Sequence, residues 1–223
     1  MTTISATMQQ TTTTFRLGAV LPLICAMLVF ALPSGGIAAE TTDQKEAAAF
    51  LQELGDNAIA VLANKDQPRD EREETVQALL RENLELETMG RFVLGPEWRK
   101  ADDAQRASYL ELFSEFVVRT YSKRLGEYGG QQFEVTGTSQ AGKADALVVT
   151  AITSGDGSPP VKAGWRVKTD RDGKLKIVDV IVEGVSMLQT QRSEFDSVVR
   201  RSGLDGLMAL LKEKLDQLPK TSG

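Results

Sequence analysis

The chain has 223 residues, of which 41% are hydrophobic and 26% are charged, a composition typical of one or two globular domains. It contains no histidine, which excludes Ser-His-Asp triads, Cys-His pairs and most zinc sites. The formal net charge of −5 is mildly acidic, so nucleic acid is not expected as a partner.

The amino-terminal segment has the composition of a secretory signal peptide. Its apolar run, residues 17–32, is shorter than the roughly 20 residues that a transmembrane helix needs, and small residues follow it. Cleavage after Ala38 or Ala39 is expected, which gives a signal peptide at residues 1–39 and a single domain at residues 40–223. A membrane anchor that is retained is the alternative interpretation.

Cys25 is the only cysteine, and it lies within the apolar run. The residues before it lack the small side chain expected ahead of a lipidated cysteine, so a lipoprotein is not expected. Cleavage would remove Cys25 together with Arg16, the one charged residue of that segment, and would leave a domain of net charge −6 without a disulfide. The stability of that domain must therefore come from its hydrophobic core.

Apolar periodicity predicts helices over the first half of this domain. Asp43 and Glu46 resemble a capping box that opens a helix ending near Ala63. A second helix is predicted from Asp70, where acidic residues in the first turn favour the helix dipole, and a short third helix is predicted from Leu86 to Leu94.

Asp102 and Gln105 are predicted to cap the longest helix, which runs from about Asp103 to Tyr128. Its apolar stripe is strongly aromatic and consists of Tyr109, Phe113, Phe116, Val117, Tyr121, Leu125 and Tyr128. Such a stripe is either a packed core or, in part, the wall of a cavity, and the sequence leaves both interpretations open.

After Gly129-Gly130 the apolar period changes from 3.6 to 2, which predicts strands. The predicted strands cover about 133–137, 144–153, 161–168 and 175–182, and two helices follow them, about Leu188–Arg201 and Leu204–Leu218. The sequence therefore predicts one α+β domain with N-terminal helices, a four-stranded antiparallel meander and C-terminal helices.

Several segments of the chain resemble the MlaC, or toluene-tolerance, family. They are Arg91–Gly95 with Trp98-Arg99, the aromatic helix with Phe113, Phe116 and Tyr121, the stretch Asp179–Ser186, and Arg192–Phe195 with Arg200-Arg201. Departures from the usual family residues occur at Trp165, Leu175 and Thr190-Gln191, and they concern the details of a pocket mouth.

The resemblance implies a periplasmic protein of Gram-negative bacteria that shuttles phospholipid between the outer and inner membranes and so maintains outer-membrane lipid asymmetry. It implies partners in an inner-membrane ABC lipid-transport complex and an outer-membrane lipoprotein complex, and a monomer that encloses an apolar lipid cavity. No cofactor, metal or catalytic residue is expected. A hopanoid-associated sibling carrier is the alternative, although Gly184-Val185-Ser186 favours the phospholipid branch.

A diacyl lipid has about 30 methylenes, each worth about 0.8 kcal/mol when buried, so a carrier needs a dry apolar cavity with the headgroup at its mouth. The residues expected to line this cavity are Phe92, Phe116, Tyr121, Val148, Trp165, Val182, Val185 and Met187. Trp98 is expected to fix a loop instead. Arg99 and Arg192 are either phosphate contacts near the mouth or structural cations paired with Asp179 or Glu183.

Two other classes of function remain open at this point. The layout of helices on a curved sheet also looks like the cone-shaped isomerase and dehydratase fold, in which Asp179 or Glu183 would be the base for proton transfer in an apolar pocket. The second alternative is an interaction protein or chaperone of the cell envelope. Lipid bound to the purified protein would distinguish a carrier from an interaction protein.

Overall fold

The computed structural model describes residues 42–126, 130–154 and 157–218. The predicted signal peptide, the predicted helix end at Tyr128, Gly129 and the tail from Pro219 lie outside the described residues. Within the described ranges, no helix is long and apolar enough to cross a membrane.

The described chain contains six helical segments and five strands. The helices are α1 (Gln44–Ala63), α2 (Arg69–Asn83), α3 (Leu86–Leu94), α4 (Glu97–Lys100), α5 (Asp103–Leu125) and α6 (Met187–Gln217). The strands are β1 (Gln132–Ala141), β2 (Asp145–Thr153), β3 (Val161–Thr169), β4 (Leu175–Val182) and β5 (Val185–Ser186). Every strand pairs antiparallel with its neighbour in the chain, in the order β1-β2-β3-β4-β5. The predicted α+β class, with helices on either side of an antiparallel meander, is confirmed.

The sheet has one strand more than the sequence predicted. Glu183 and Gly184 both have positive φ angles, 48° and 81°, and they reverse the chain in two residues. Val185 and Ser186 then pair with Val182 and Ile181 of β4. A two-residue strand has no measurable alternation of apolar residues, so the sequence showed only the break.

The starts of α1 and α5 follow the predicted capping residues, whereas α2 begins at Arg69, one residue before the predicted Asp70, without a side-chain cap. The Asp102 carboxylate accepts a hydrogen bond from the Gln105 N–H (2.8 Å), and the Gln105 side chain accepts one from the Asp102 N–H (3.2 Å). At α1 the Asp43 carboxylate caps the N–H groups of Lys45 and Glu46, at 2.7 and 3.0 Å. These bonds satisfy amide groups that have no partner within the helix.

The two predicted C-terminal helices are joined in one helical run. The break between them is at Gly203, whose φ of 69° and ψ of −177° are not helical. Glycine tolerates this conformation because it has no Cβ.

The hydrophobic core has two parts, which we call the helical cluster and the sheet cluster. The helical cluster joins α3, α5 and α6 through the buried residues Met89, Val93, Leu94, Tyr109, Phe113, Val117, Phe195, Leu207 and Leu211. The sheet cluster joins α1 to one face of β2, β3 and β4 through Ala47, Leu51, Ala146, Val148, Val167 and Ile177. Leu84, between α2 and α3, is half-buried and packs against both clusters.

Helices α1 and α2 form a hairpin that is attached to the sheet at its two ends. Before α1, the Thr42 N–H donates to the Ala144 carbonyl (2.8 Å). After α2, Leu84 forms a parallel bridge with Ile177, and the Glu85 N–H donates to the Ile177 carbonyl (2.9 Å). The connection between the two helices is exposed. The hairpin therefore covers the sheet and is attached to it at these two ends, and within α1 the Gln52 side chain also accepts a hydrogen bond from the Val135 N–H of β1 (3.1 Å).

Candidate functional site

An apolar cavity of about 290 Å³ lies between the α1–α2 hairpin, the end of α5 and the sheet. Its described lining consists of Leu51, Leu54, Gly55, Ala58, Ile59, Leu62, Val76, Leu79, Leu80, Asn83, Leu84, Arg124, Leu125, Gln131, Gln132, Phe133, Ile152, Trp165 and Ile177. Four of these side chains are polar, and one of them is charged. The volume is at the lower end of the roughly 300–1,000 Å³ that ligand pockets usually have.

The helical wall follows from the spacing of apolar residues on α1 and α2. Leu51, Leu54, Ala58 and Leu62 repeat at intervals of three or four residues, so they share one face of α1. Gly55 lies on the same face, and a Cβ there would be 2.4 Å from the Phe133 ring. The Phe133 ring of β1 therefore packs directly on the α1 backbone at Gly55.

The floor of the cavity is the face of the sheet that carries Phe133 and Trp165. Their rings meet edge to face with centroids 6.2 Å apart. The Trp165 indole N–H donates to the Thr150 hydroxyl (2.9 Å). The Thr150 hydroxyl in turn donates to the Ala163 carbonyl (3.3 Å). Because its one polar atom is satisfied within the sheet, Trp165 presents apolar surface to the cavity.

The mouth of the cavity is defined by the exposed members of its lining, Arg124, Leu125 and Gln132. The Arg124 guanidinium carbon lies 5.8 Å from the centre of the Tyr121 ring, a cation–π distance. Burial raises the pKa of the Tyr121 hydroxyl, partly offset by the positive charge of Arg124. The only formal charge in the described lining is therefore an arginine at its edge.

The described lining contains no carboxylate, and Asp179 and Glu183 are not part of it. In the described ranges, no group of three or more His, Cys, Asp or Glu side chains is placed to hold a metal ion. What the cavity provides is apolar surface with one cation at its rim, which suits binding of an apolar chain with an anionic end.

A family model described as the MlaC protein matches residues 52–213. The chain belongs to the MlaC family. The match extends from within α1 to the second half of α6, so it includes every described lining residue of the cavity except Leu51. The resemblance seen in the sequence motifs is confirmed.

One MlaC relative and one solved structure place the chain among proteins named for phospholipid. The chain is 24% identical over 137 residues to the intermembrane phospholipid transport system binding protein MlaC of Haemophilus influenzae. That match covers 60% of this chain and 64% of the relative, just under two thirds of the relative's length. A phospholipid-binding protein from Ralstonia solanacearum, solved in complex with a phospholipid, superposes with a TM-score of 0.67 at 23% identity. It covers 78% of this chain and 99% of its own, and the likeness shows a shared fold.

In this MlaC-family chain, the structure places Trp165 in the lining of the cavity and the other predicted aromatic residues elsewhere. Phe116 and Tyr121 are half-buried against the helical cluster, and Phe116 also borders a second groove between α5 and α6. Phe92 is 37% exposed on α3. The aromatic stripe of α5 therefore belongs mainly to the packed core.

The predicted aliphatic residues are also divided. Val148 faces α1 within the sheet cluster and is fully buried. Val182 and Met187 are half-buried at the corner where β4, β5 and α6 meet, and Val185 is exposed in β5. None of these four belongs to the described lining.

Arg99 and Arg192 lie away from the mouth. Arg99 is exposed on α4, and the Arg192 guanidinium carbon lies 5.0 Å from the centre of the Phe92 ring. Asp179 accepts hydrogen bonds from the Ser186 hydroxyl (2.7 Å) and the Leu188 N–H (3.2 Å), and these bonds fix the start of α6. Among the described residues, no ion pair joins Arg192 to Asp179 or Glu183, and its guanidinium lies over the Phe92 ring and next to Gly95.

Trp98 has the loop-fixing position that the sequence suggested. The guanidinium carbons of Arg91 and Arg106 lie 5.3 and 5.5 Å from the centre of the Trp98 ring, and the Trp98 backbone carbonyl accepts a hydrogen bond from Arg106 Nε (2.9 Å).

Most of the cavity residues that the sequence interpretation did not select are on α1 and α2, and the others are on α5, on the strands and in the segments next to them. Leu54, Ala58, Leu79 and Leu80 were recognisable as members of buried helical stripes, but a stripe gives no sign of whether it meets a filled or an empty space. Small residues such as Gly55 and Ala58 on that stripe were the available signal.

Proposed function

We propose that this chain is a periplasmic carrier that binds phospholipid and shuttles it between the outer and inner membranes. The observation that carries the proposal is the apolar cavity under the α1–α2 hairpin, in a chain of the MlaC family. The name of the Haemophilus influenzae relative and the phospholipid bound to the Ralstonia solanacearum protein support it.

The free energy gained by burying acyl chains in an apolar cavity supports the function of a carrier. Burying about 30 methylenes at about 0.8 kcal/mol each makes an acyl-chain site worth far more than any single polar contact. The cavity of about 290 Å³ is small for two acyl chains, so loading requires the hairpin to move away from the sheet. The described lining offers no base or nucleophile, which is why an isomerase activity is not proposed.

The decisive experiment is the lipid content of the protein purified from a Gram-negative periplasm. Organic extraction and mass spectrometry are expected to find about one phospholipid molecule per chain. Repeated mild preparations that contain no lipid would contradict the proposal.

We also propose that residues 1–39 are removed as a signal peptide during export. The mature chain then begins at Ala39 or Glu40. Intact-mass measurement of the periplasmic protein tests this, and a membrane-bound chain that retains residues 17–32 would refute it.

A shuttle must also dock at both membranes, and we propose an inner-membrane ABC lipid-transport complex and an outer-membrane lipoprotein complex as its partners. Transient docking requires modest, salt-sensitive interfaces. Crosslinking from residues near the cavity mouth is expected to recover membrane components of lipid transport. Recovery of soluble proteins alone would argue against shuttling.

A further inference from the structure

The polar side chains of the described cavity lining differ in whether they form hydrogen bonds or ion pairs with other residues. Asn83 donates from its side-chain amide to the Leu79 carbonyl of its own helix (2.8 Å), and Gln131 also has a bonding partner. Arg124 is exposed, and within the described residues no carboxylate forms an ion pair with it. It is thus the one charged side chain of the described lining, and it is exposed at the mouth.

A structural explanation for Arg124 is available and has to be separated from a functional one. Arg124 lies in the last turn of α5, where any cation interacts favourably with the helix dipole. Lys123, its neighbour, has the same charge in the same turn but is not part of the cavity lining. Helix stabilisation therefore predicts equal effects for the two residues, whereas contact with a ligand predicts an effect for Arg124 alone.

The position of Arg124 fits the geometry of a bound amphiphile. Acyl chains that lie between the hairpin and the sheet leave their polar end at the mouth, where the exposed lining residues are. A guanidinium binds phosphate through two parallel N–H donors, and its stacking on Tyr121 limits the conformations that it loses on binding. Arg99 and Arg192 are not in the described lining.

We propose that Arg124 is a headgroup-selecting residue, which binds the phosphodiester of the loaded lipid and favours phosphatidylglycerol over phosphatidylethanolamine. This inference rests on the proposed function. The selection arises because the ammonium of ethanolamine adds a second positive charge beside the guanidinium, whereas glycerol adds none. The acyl chains still supply most of the affinity, so Arg124 changes which lipid is bound more than whether a lipid is bound.

The experiment uses vesicles with equal amounts of phosphatidylglycerol and phosphatidylethanolamine that have identical acyl chains. Wild-type protein is incubated with the vesicles and then separated from them, and its bound lipid is identified by native mass spectrometry. We expect the wild type to carry about two to five times more phosphatidylglycerol, because the repulsion between the ethanolamine ammonium and the guanidinium is one solvent-exposed charge–charge interaction. Arg124→Gln should load lipid with a ratio near one, Arg124→Lys should keep part of the preference, and Lys123→Gln should keep all of it.

A second measurement does not depend on the folding of a variant. The wild-type preference should fall towards one in about 0.5 M salt, because exposed charges are screened at that ionic strength. Glycerophosphoglycerol is the same headgroup without acyl chains. Even in excess, it should not lower the ratio of bound phosphatidylglycerol to bound phosphatidylethanolamine.

Several results would overturn the inference while leaving the carrier function intact. They are a wild-type ratio near one, an Arg124→Gln ratio equal to the wild-type ratio, an equal loss in Lys123→Gln, or a preference unaffected by salt. Loss of the preference on addition of glycerophosphoglycerol would assign Arg124 to free phosphodiesters instead. A wild-type protein that takes up no phospholipid from the vesicles would reject the proposed function itself.

Discussion

The helical cluster and the sheet cluster are both apolar, yet in the described residues the apolar cavity lies beside the sheet cluster, whereas the helical cluster borders a groove that also has polar and charged lining residues. In the helical cluster, the rings of Tyr109, Phe113 and Phe195 lie 5.8 to 6.5 Å from one another and fill the space between three helices. The sheet cluster is built largely from alanine and valine, and the helix that covers it has Gly55 and Ala58 on its inner face. A cavity therefore arises where small residues hold a helix against a sheet, not where aromatic residues are concentrated.

The largest expected difference between the two regions is the cost of deleting a side chain. Phe113 is fully buried against two other rings, so Phe113→Ala should lower the free energy of unfolding by about 3–5 kcal/mol. Leu79→Ala removes atoms that already border empty space and should cost less than half as much. Urea unfolding of lipid-free protein measures both. Equal costs would mean that the cavity wall is as tightly packed as the helical cluster.

A smaller effect is expected from adding bulk within the sheet. Val148 and Val149 point to opposite faces of β2, and Val148 is fully buried under α1 whereas Val149 is half-buried. Val148→Trp should therefore overpack the sheet cluster and cost about 1–3 kcal/mol, more than Val149→Trp. Thermal unfolding of the two lipid-free variants tests this order. The reverse order would place free space beside Val148.

Added bulk in the cavity itself should leave stability almost unchanged. Ala58 lines the cavity, so the ring in Ala58→Phe enters space that is already empty and should change the unfolding free energy by less than about 0.5 kcal/mol. The same variant should lose most of its bound phospholipid, because the ring occupies the place of the acyl chains. Ala60→Phe, on the exposed face of the same helix, is the control and should keep its lipid. Lipid retained by both variants would mean that the acyl chains bind elsewhere.

The smallest effect concerns the helix that covers the cavity. The N–H groups of Glu46 and Lys45 lower the pKa of the Asp43 carboxyl, so its capping contribution is complete above about pH 4 and is lost as the pH falls through the lowered value. Asp43→Asn caps without titrating. As the pH falls below about 4, the melting temperature of the wild type should therefore fall more steeply than that of Asp43→Asn. Parallel curves would show that the cap is not coupled to folding.

Local signals were sufficient to predict most of the fold. The bounds of α3 and the capping of α5 follow from a Gly-Pro stop and an Asp102–Gln105 box, which act within a few residues of the chain. β5 was missed because two residues contain no period. The cavity was only partly predictable, since Trp165 is the one predicted lining residue found in the described lining and the α1 and α2 walls were not predicted. Which apolar stripe faces a void depends on how a helix and a sheet pack, and that is a tertiary property.

The attachment of the α1–α2 hairpin at Thr42 and Leu84 has a consequence for the rate of amide hydrogen exchange. Both attachments use backbone hydrogen bonds to the sheet, while the Arg72 guanidinium joins the two helices near their connection by donating to the Leu62 carbonyl (2.8 Å). We therefore expect the cavity to widen by movement of the exposed connection between α1 and α2, while the hydrogen bonds at Thr42 and Glu85 stay intact. Amides around Leu62 and Arg72 should exchange with solvent through this local opening, and those of Thr42 and Glu85 only when the whole domain unfolds.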